Sequence, residues 1–501
     1  MALCAPAHAG ELLWFANERP NVQAWTAIAI LEAAGDEGLR PEKYDPLSLR
    51  HAFATADQGS VPSPEVRADL DQMLTRAMVA YLRDLHSGQI DPRLIRENFS
   101  LSPSNGFDPE AFLHTAVLEK RLSEAVSEAA PALPLYANLR LALAHYRRIA
   151  VDPVTVALWR TDLPPGPQHK LEPGQPYEGL PILALRLITL GDLSCETLAP
   201  KVYTGAVVEA VKTFQARHGL NPDGVIGKQT LQRLNVSPAT RVRQIELAME
   251  RLRWTPLLRA PRMVAVNVPE HVLEAYEVKN GVQEMQATMR VIIGKALDMR
   301  TPLFDEEMRF IEFSPYWNVP PSIARSEIIP NIRKDPGYFN RQGFEFVTAG
   351  GMVVTSLAPE HLDEVLRGRM RIRQRPGPKN SLGDIKFVFP NKDNIYLHHT
   401  PSPGLFERDR RDLSHGCVRV EDPVGLAKFV LKNEPDWSEK RIRAAMEGGS
   451  SKTLRLREPV QVLIAYNTVR VRDGLVHFFA DIYGQDKALD QALSSSRQTV
   501  Q

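Results

Sequence analysis

The sequence predicts an α+β chain of several domains: a helical first third, a small helical module after it, and a β-rich C-terminal half. Three observations predict this. The 501 residues exceed the ~250–300 at which a single hydrophobic core stops growing. Apolar residues recur at helical spacing in stretches up to Trp254. Beyond that point the apolar period shortens to two, with Gly-containing turn signals between the runs.

Composition narrows the class of molecule. Hydrophobic content of 43% and charged content of 24% fit a globular chain that buries a core. The 61 Lys+Arg are matched by 60 Asp+Glu, so the basic stripe that nucleic-acid phosphates require is absent from the overall balance. The local basic run "RGRMRIRQRP" (Arg367 to Pro376) reads as a solvated face or loop. No run reaches the ~18 apolar residues needed to cross a bilayer.

The elements follow in order. Ala7-His8-Ala9 before Gly10 has the small-x-small pattern of a signal-peptidase site, without a basic n-region, so residues 1–9 read as the tail of an export signal. In "ADLDQMLTRAMVAYLRDLHSGQ" the residues Leu70, Leu74, Met78, Tyr81, Leu82 and Leu85 lie at helical spacing and Gly88 supplies the stop. "LYANLRLALAHYRRIAV" (Leu135 to Val151) is a second such stretch. Nothing in residues 10–179 offers nucleophile, ligand or phosphate chemistry, so this part reads as a scaffold. It ends in a linker: from Trp159 to Pro181 the chain holds six prolines and three glycines.

A compact unit at 180–238 comes next, with Val207, Val211 and Phe214 on one helical face, Gly219 as its stop and a turn at Asp223-Gly224. A connecting helix spans 239–260, with Val242, Ile245, Met249 and Leu252 inward. Strands follow in "MVAVNVPEHVLEAYEVKNGV", "MRVIIGKA" and "DIKFVFPN", and a hairpin turns at Asp473-Gly474. Asp422 caps a helix with Pro423 at its first position, and a second helix covers about 438–447. Residues 261–488 are thus expected as one β-rich domain, and 489–501 as a tail.

The chemistry concentrates near the end of that domain. Of three cysteines, Cys4 would leave with the export signal, and Cys195 in "GDLSCETL" reads as a small buried hydrophobe. Cys417 stands in "SHGCVRV", 19 positions after His398 (417 − 398) in "YLHHTP". A thiol is mostly protonated at neutral pH and attacks well only as thiolate, so it needs a base; imidazole takes the proton and can return it to a leaving amine. Gly416 allows close backbone approach, so that N–H groups near 416 and 417 can stabilise an oxyanion at roughly 3 kcal/mol per donor. A zinc set of His398, His399, His415 and Cys417 lacks the short paired spacing of structural sites, and a serine hydrolase lacks G-x-S-x-G. Neither a metal nor a cofactor is expected.

The stretch "HHTPSPGLFERDRRDLSHGCVRV" resembles the signature of the L,D-transpeptidases, a histidine followed after about 14 to 17 residues by Ser/Thr-His-Gly-Cys. "GKALDMRTP", "FSPYWNVPPSI", "NSLGDIKFVFPN" and "HFFADIYGQD" extend the resemblance through the β-rich half. The pattern "AVKTFQ", "HGL", "DGVIGKQT" and "LQRLN" resembles the peptidoglycan-binding module appended to many wall enzymes. The resemblance implies a mixed-sheet sandwich as the catalytic fold, Cys417 as nucleophile and His398 as general base and acid. The family histidine precedes a variable residue and then threonine, which matches His398-His399-Thr400. It further implies that the carbonyl of His399 accepts from the His398 ring, and that substrate meets His415, Arg419, Ser414, Tyr396, Trp317 and Asn318.

The implied partners are peptidoglycan stem peptides and glycan, and the implied location is the periplasm. Arg419 replaces the Asn often found two residues after the family cysteine. About 60 residues between Trp317 and Asn380 form an insertion, expected as a lid that excludes water and selects the acceptor amine. The implied activity is transfer of a stem tetrapeptide, with loss of its terminal D-Ala, to a diaminopimelate side-chain amine. Hydrolysis, lipoprotein attachment and a non-catalytic wall-binding scaffold are the alternatives.

Overall fold

A computed structural model describes residues 12–99, 106–197, 200–257, 260–280, 282–297 and 299–495. The export-signal expectation at 1–9, with Cys4, lies outside them. The chain divides into two compact units: Met1–Ile95 with Leu101–Leu257 and Asn467–Gln501, and Arg96–Ser100 with Leu258–Tyr466.

The first unit opens with a short hairpin, β1 (Phe15–Ala16) and β2 (Arg19–Pro20), and then helices α1 (Val22–Glu32), α2 (Pro46–Gln58), α3 (Pro64–Ser87), α4 (Pro109–Leu118), α5 (Leu122–Ala129), α6 (Pro134–Val151) and α7 (Pro153–Leu158). In α3 the Ser63 hydroxyl accepts from the Val66 N–H at one end, and Gly88, at φ +83°, ends the helix at the other. The predicted stripe of α3 is buried along its whole length and packs with Trp14, Ile28 and Phe53.

Helices α8 (Leu180–Thr189), α9 (Ala206–Arg217) and α10 (Lys228–Leu234) form the small module, with Val207, Val211 and Phe214 fully buried. Gln215 of α9 fixes the Asp223-Gly224 turn: its Nε2 donates to Asp223 Oδ1 (3.0 Å) and the Val225 carbonyl (2.9 Å), and its Oε1 accepts from the Gly224 N–H (2.8 Å). The segment 159–181, expected as a linker, is irregular but folded. Leu163 and Leu171 enter the module core, and Leu171 exchanges both backbone hydrogen bonds with Ile226. Prolines limit regular structure there to a short 3-10 turn (Pro167–His169) and two isolated bridges, yet they do not prevent apolar neighbours from being buried. Cys195 is exposed, contrary to expectation, because it falls in the turn after α8 and not on an apolar face.

Helix α11 (Pro238–Trp254) completes this unit with the hairpin β17 (Val469–Arg472) and β18 (Leu475–Phe478) and helix α18 (Gln485–Ser495). The hairpin turns at Asp473 and Gly474, both at positive φ, as the Asp-Gly pair predicts. Its place in the helical unit was not predicted, since 467–488 read as the end of the β-rich domain. Alternation identifies a hairpin but not what it packs on. Here the Arg241 guanidinium of α11 stacks 4.5 Å over the Phe478 ring, and Arg251 pairs with Asp486 of α18.

A buried charge in α11 gives a stability prediction. Glu250, 1% exposed, accepts from Arg253 Nη1 and from the backbone and side-chain nitrogens of Gln89. Glu250→Ala leaves the buried Arg253 cation without its carboxylate and should lower the unfolding free energy by about 3–5 kcal/mol, read by urea denaturation.

The second unit is a mixed sheet. Its strands are β3 (Glu97–Asn98), β4 (Arg262–Asn267), β5 (Val272–Lys279), β6 (Val282–Gly294), β7 (Leu303–Phe313), then, after the insertion, β12 (Ile385–Val388), β13 (Leu397–His398), β14 (Asp412–Ser414), β15 (Val418–Val420) and β16 (Lys452–Ala465). The order β12-β13-β15-β6-β5-β4-β16-β7 returns to β12 through a β7 pairing, so the expected sandwich is closed on itself. Closure satisfies backbone donors that two open sheets would expose at their edges. β13–β15 and β16–β4 are parallel pairs in an otherwise mostly antiparallel ring. Val264, Ile292, Ile311, Leu397, Val418 and Ile464 are fully buried in it. Asp422 caps α16 (Pro423–Val430) by accepting from the Gly425 N–H at 2.8 Å, and Ser438 caps α17 (Glu439–Glu447).

The insertion builds a core of its own. It holds β8 (Trp317–Asn318), α12 (Pro321–Ile323), a π turn (Ala324–Ile328), α13 (Ile329–Lys334), α14 (Gly337–Arg341), β9 (Phe344–Thr348), β10 (Val353–Val354), α15 (Pro359–Leu366) and β11 (Met370–Gln374). The strands pair antiparallel in the order β10-β9-β11-β8 over buried Ile332, Phe339, Phe346, Leu362 and Ile372. Part of the basic run 367–376 is therefore strand β11, where Arg373 meets Glu345 at 2.5 Å. Asn380, 1% exposed, ties the stems together: its Nδ2 donates to the Pro315 carbonyl (2.9 Å) and the Arg375 carbonyl (3.0 Å).

Candidate active site

Sheet register assembles the site. In β13 and β15 the parallel register sets Leu397 beside Val418 and His398 beside Arg419, and the Val418 N–H donates to the Tyr396 carbonyl at 3.1 Å. Residues directly across a pair share a face, and residues two apart on a strand share it again. Tyr396, His398, Cys417 and Arg419 therefore occupy one face, while Leu397 and Val418 take the other, apolar one. The row continues beyond β13, since His398 pairs with Lys386 of β12 and Lys386 with Glu312 of β7. Glu312, Lys386, His398 and Arg419 thus form a line of polar side chains across four strands.

His398 is buried and its Nδ1 lies 2.5 Å from the His399 carbonyl oxygen. A carbonyl only accepts, so Nδ1 carries the proton and Nε2 keeps the lone pair. Burial, with the Arg419 charge beside it, lowers the His398 pKa to about 3, against the pull of hydrogen bonds to the His399 and Leu382 backbone. His399 itself is on the other side of the strand, its Nδ1 3.2 Å from Asp384 Oδ2.

The Cys417 thiol is crowded as well. Burial pushes its pKa up, opposed by hydrogen bonds from Tyr396 and by the charges of Lys386 and Arg419. Its Sγ lies 3.8 Å from the Asn394 carbonyl oxygen and hydrogen-bonds with the Tyr396 hydroxyl. Lys386 Nζ sits 4.4 Å over the Tyr396 ring and 3.3 Å from Glu312. Arg419 Nε is buried without a hydrogen-bond partner, and burial pulls the guanidinium pKa down.

The turn that carries the thiol is held by its own polar atoms. Ser414 Oγ donates to the Cys417 carbonyl at 2.5 Å and accepts from the Gly416 N–H at 3.2 Å, so the hydroxyl expected to meet substrate is engaged within the turn. The same bond occupies the Gly416 N–H, which narrows the expected oxyanion donors to Cys417. Gly416 has φ +115°, a conformation open to glycine and strained for any residue with a Cβ. Thr301 Oγ1 donates to the Gly416 carbonyl at 2.7 Å. His415 leaves the turn and meets Glu327 of the π turn, Nε2···Oε1 2.5 Å. Trp317 and Asn318 belong to the insertion sheet, paired with Gln374 and Arg373.

Sequence reasoning missed Lys386, Thr301 and Glu327. Lys386 had a signal, a lone cation at an alternating position in "DIKFVF"; Thr301 and Glu327 had none, since each acts through a contact distant in sequence.

Residues 261–452 match the family profile of the L,D-transpeptidase catalytic domain (YkuD), residues 6–143 that of a scaffold domain, and residues 182–234 one described as "Putative peptidoglycan binding domain". A Haemophilus influenzae protein named "Putative L,D-transpeptidase" is 32% identical over 270 residues, covering 53% of this chain and 53% of that protein. The chain thus spans about half the length of that curated relative. Epoxide hydrolase 1 of Sus scrofa is 24% identical over 102 residues, 20% of this chain and 22% of that protein. An L,D-transpeptidase structure from Xylanimonas cellulosilytica overlaps 60% of this chain and all of that one at 15% identity, with a TM-score of 0.18, too low to carry an argument. The mixed sheet around the Cys417 turn thus lies in the part of the chain that matches the L,D-transpeptidase catalytic-domain (YkuD) profile, in one chain with matches to a scaffold domain and a peptidoglycan-binding domain.

Proposed function

We propose that this chain is a periplasmic peptidoglycan L,D-transpeptidase that uses Cys417 as its acyl carrier. Rotation of the thiol away from the Asn394 carbonyl presents it to His398 Nε2, which takes its proton as sulfur attacks the carbonyl between the third stem residue and the terminal D-Ala. A C–S bond forms, the C–N bond to D-Ala breaks, and His398 returns the proton to the leaving amine. A diaminopimelate side-chain amine on a second stem then forms a C–N bond as the C–S bond breaks. Its proton passes to His398 and back to the sulfur, completing a 3→3 cross-link.

In this reading the Cys417 N–H stabilises the oxyanion and the Tyr396 hydroxyl the thiolate, and Arg419 with Lys386 makes the face cationic toward a stem-peptide carboxylate. The observation that supports this reading most directly is the shared face of Tyr396, His398, Cys417 and Arg419, with the imidazole tautomer set by the His399 carbonyl.

The test is incubation of the protein with tetrapeptide muropeptides and mass analysis of the products. Cross-linked dimers lacking one D-Ala are expected. Tripeptides alone would make the protein an L,D-carboxypeptidase, and unchanged substrate would make it a wall-binding scaffold.

A further inference from the structure

Glu327 is an acidic side chain of the insertion that meets the Ser-His-Gly-Cys turn. It lies in the π turn Ala324–Ile328, where one extra residue per turn re-aims a side chain out of the α-helical register. Ala324 and Ile328 on either side of it are buried in the insertion core. The turn is thus anchored from behind while Glu327 projects to His415 Nε2 at 2.5 Å. His415 is two residues before the nucleophile.

The rest of that turn is held without the insertion: Ser414 Oγ to the Cys417 carbonyl within the turn, Thr301 Oγ1 to the Gly416 carbonyl, and the Lys295 N–H to the Ser414 carbonyl at 3.0 Å. The His415 imidazole is the side chain by which the turn reaches the insertion. Both partners keep water contact, the side chains being 42% (Glu327) and 24% (His415) exposed. A half-exposed pair is one that can break and re-form, unlike the buried core on which the insertion rests.

We propose that Glu327 is a positioning residue that latches the insertion onto the nucleophile turn through His415, so that the closed insertion shields the Cys417 thioester from water until the acceptor amine arrives. The proposal rests on the transpeptidase reading for the thioester. The latch itself concerns only access to Cys417 and is measurable without turnover.

Two readouts on the full chain test it. The first is the alkylation rate of Cys417 by iodoacetamide without substrate, followed at the Cys417 peptide because exposed Cys195 also reacts. The second is the dimer-to-tripeptide product ratio with tetrapeptide muropeptides. Glu327→Ala should raise the Cys417 alkylation rate about fivefold or more and lower the dimer-to-tripeptide ratio by a similar factor, with the initial D-Ala release rate within about twofold. Glu327→Gln, which keeps a hydrogen-bonding side chain of the same length, should recover most of both. Alkylation unchanged in a folded Glu327→Ala protein, or an unchanged product ratio, overturns the latch. Loss of all products in the unmodified protein would overturn the transpeptidase reading instead, leaving the alkylation result to decide the latch alone.

Discussion

Cys417→Ala should release D-Ala from tetrapeptide muropeptides at least about 10³-fold more slowly than the unmodified protein, with the β-sheet circular dichroism unchanged. Removing the nucleophile removes the covalent path itself, and residual rates in such variants come from binding and oxyanion contacts alone. The side chain is small and the turn is held by Ser414 and Thr301 rather than by the sulfur, so folding should not suffer. Intact-mass spectrometry supplies the second readout: the unmodified protein should accumulate an acyl adduct on the Cys417 peptide, and the variant should not. An adduct on any other residue, or D-Ala release within tenfold of the unmodified rate, would contradict sulfur as the carrier.

The second large effect concerns His398 and has a distinctive dependence on pH. The reactive form holds one proton between thiol and imidazole. It is bounded on the acid side by protonation of His398, near 3, and on the alkaline side by ionisation of Cys417, whose pKa burial has raised. The sign follows: acid must reach His398's lowered pKa before the base is lost, so kcat/KM should be flat from about pH 5 to pH 8. His398→Gln removes the proton acceptor and should lower kcat/KM by about 10²–10⁴-fold at pH 7. The residual rate then depends on the small fraction of free thiolate and should rise about tenfold per pH unit across the same range. An acid limb near pH 6 to 7 in the unmodified protein would show an ordinary, solvated histidine in place of the buried one.

Much of this was legible in the chain. The α3 stripe, its Gly88 stop, the Val207-Val211-Phe214 face, the Asp-Gly turns and the Asp422 cap are local patterns, and local patterns carry their own energetics within a few residues. The Cys417 motif was legible because thiol chemistry demands few residue types at constrained spacing. The choice of His398 over His399 drew on the family pattern of a histidine, a variable residue and a threonine; in the structure the His399 ring lies beside Asp384.

What escaped were relations between segments. The partner of hairpin β17–β18, the burial of Leu163 and Leu171 inside a proline-rich stretch, and the engagement of Ser414 Oγ and the Gly416 N–H within the turn all depend on neighbours that no sequence window contains. Cys195 was misjudged for the same reason, since its exposure follows from the turn that carries it.

By itself, the sequence determined which functional groups are available: a thiol, an imidazole and a glycine, in an order that resembles the L,D-transpeptidase signature. Tertiary structure alone decided how that chemistry is set. The parallel register of β13 and β15 brings Tyr396, His398, Cys417 and Arg419 to one face, burial holds imidazole and thiol neutral, and the insertion delivers Glu327 to His415. The physical reason is that reactivity resides in functional groups, which the residue letters specify, whereas proton affinity and alignment reside in desolvation and strand pairing, which arise only when distant segments meet.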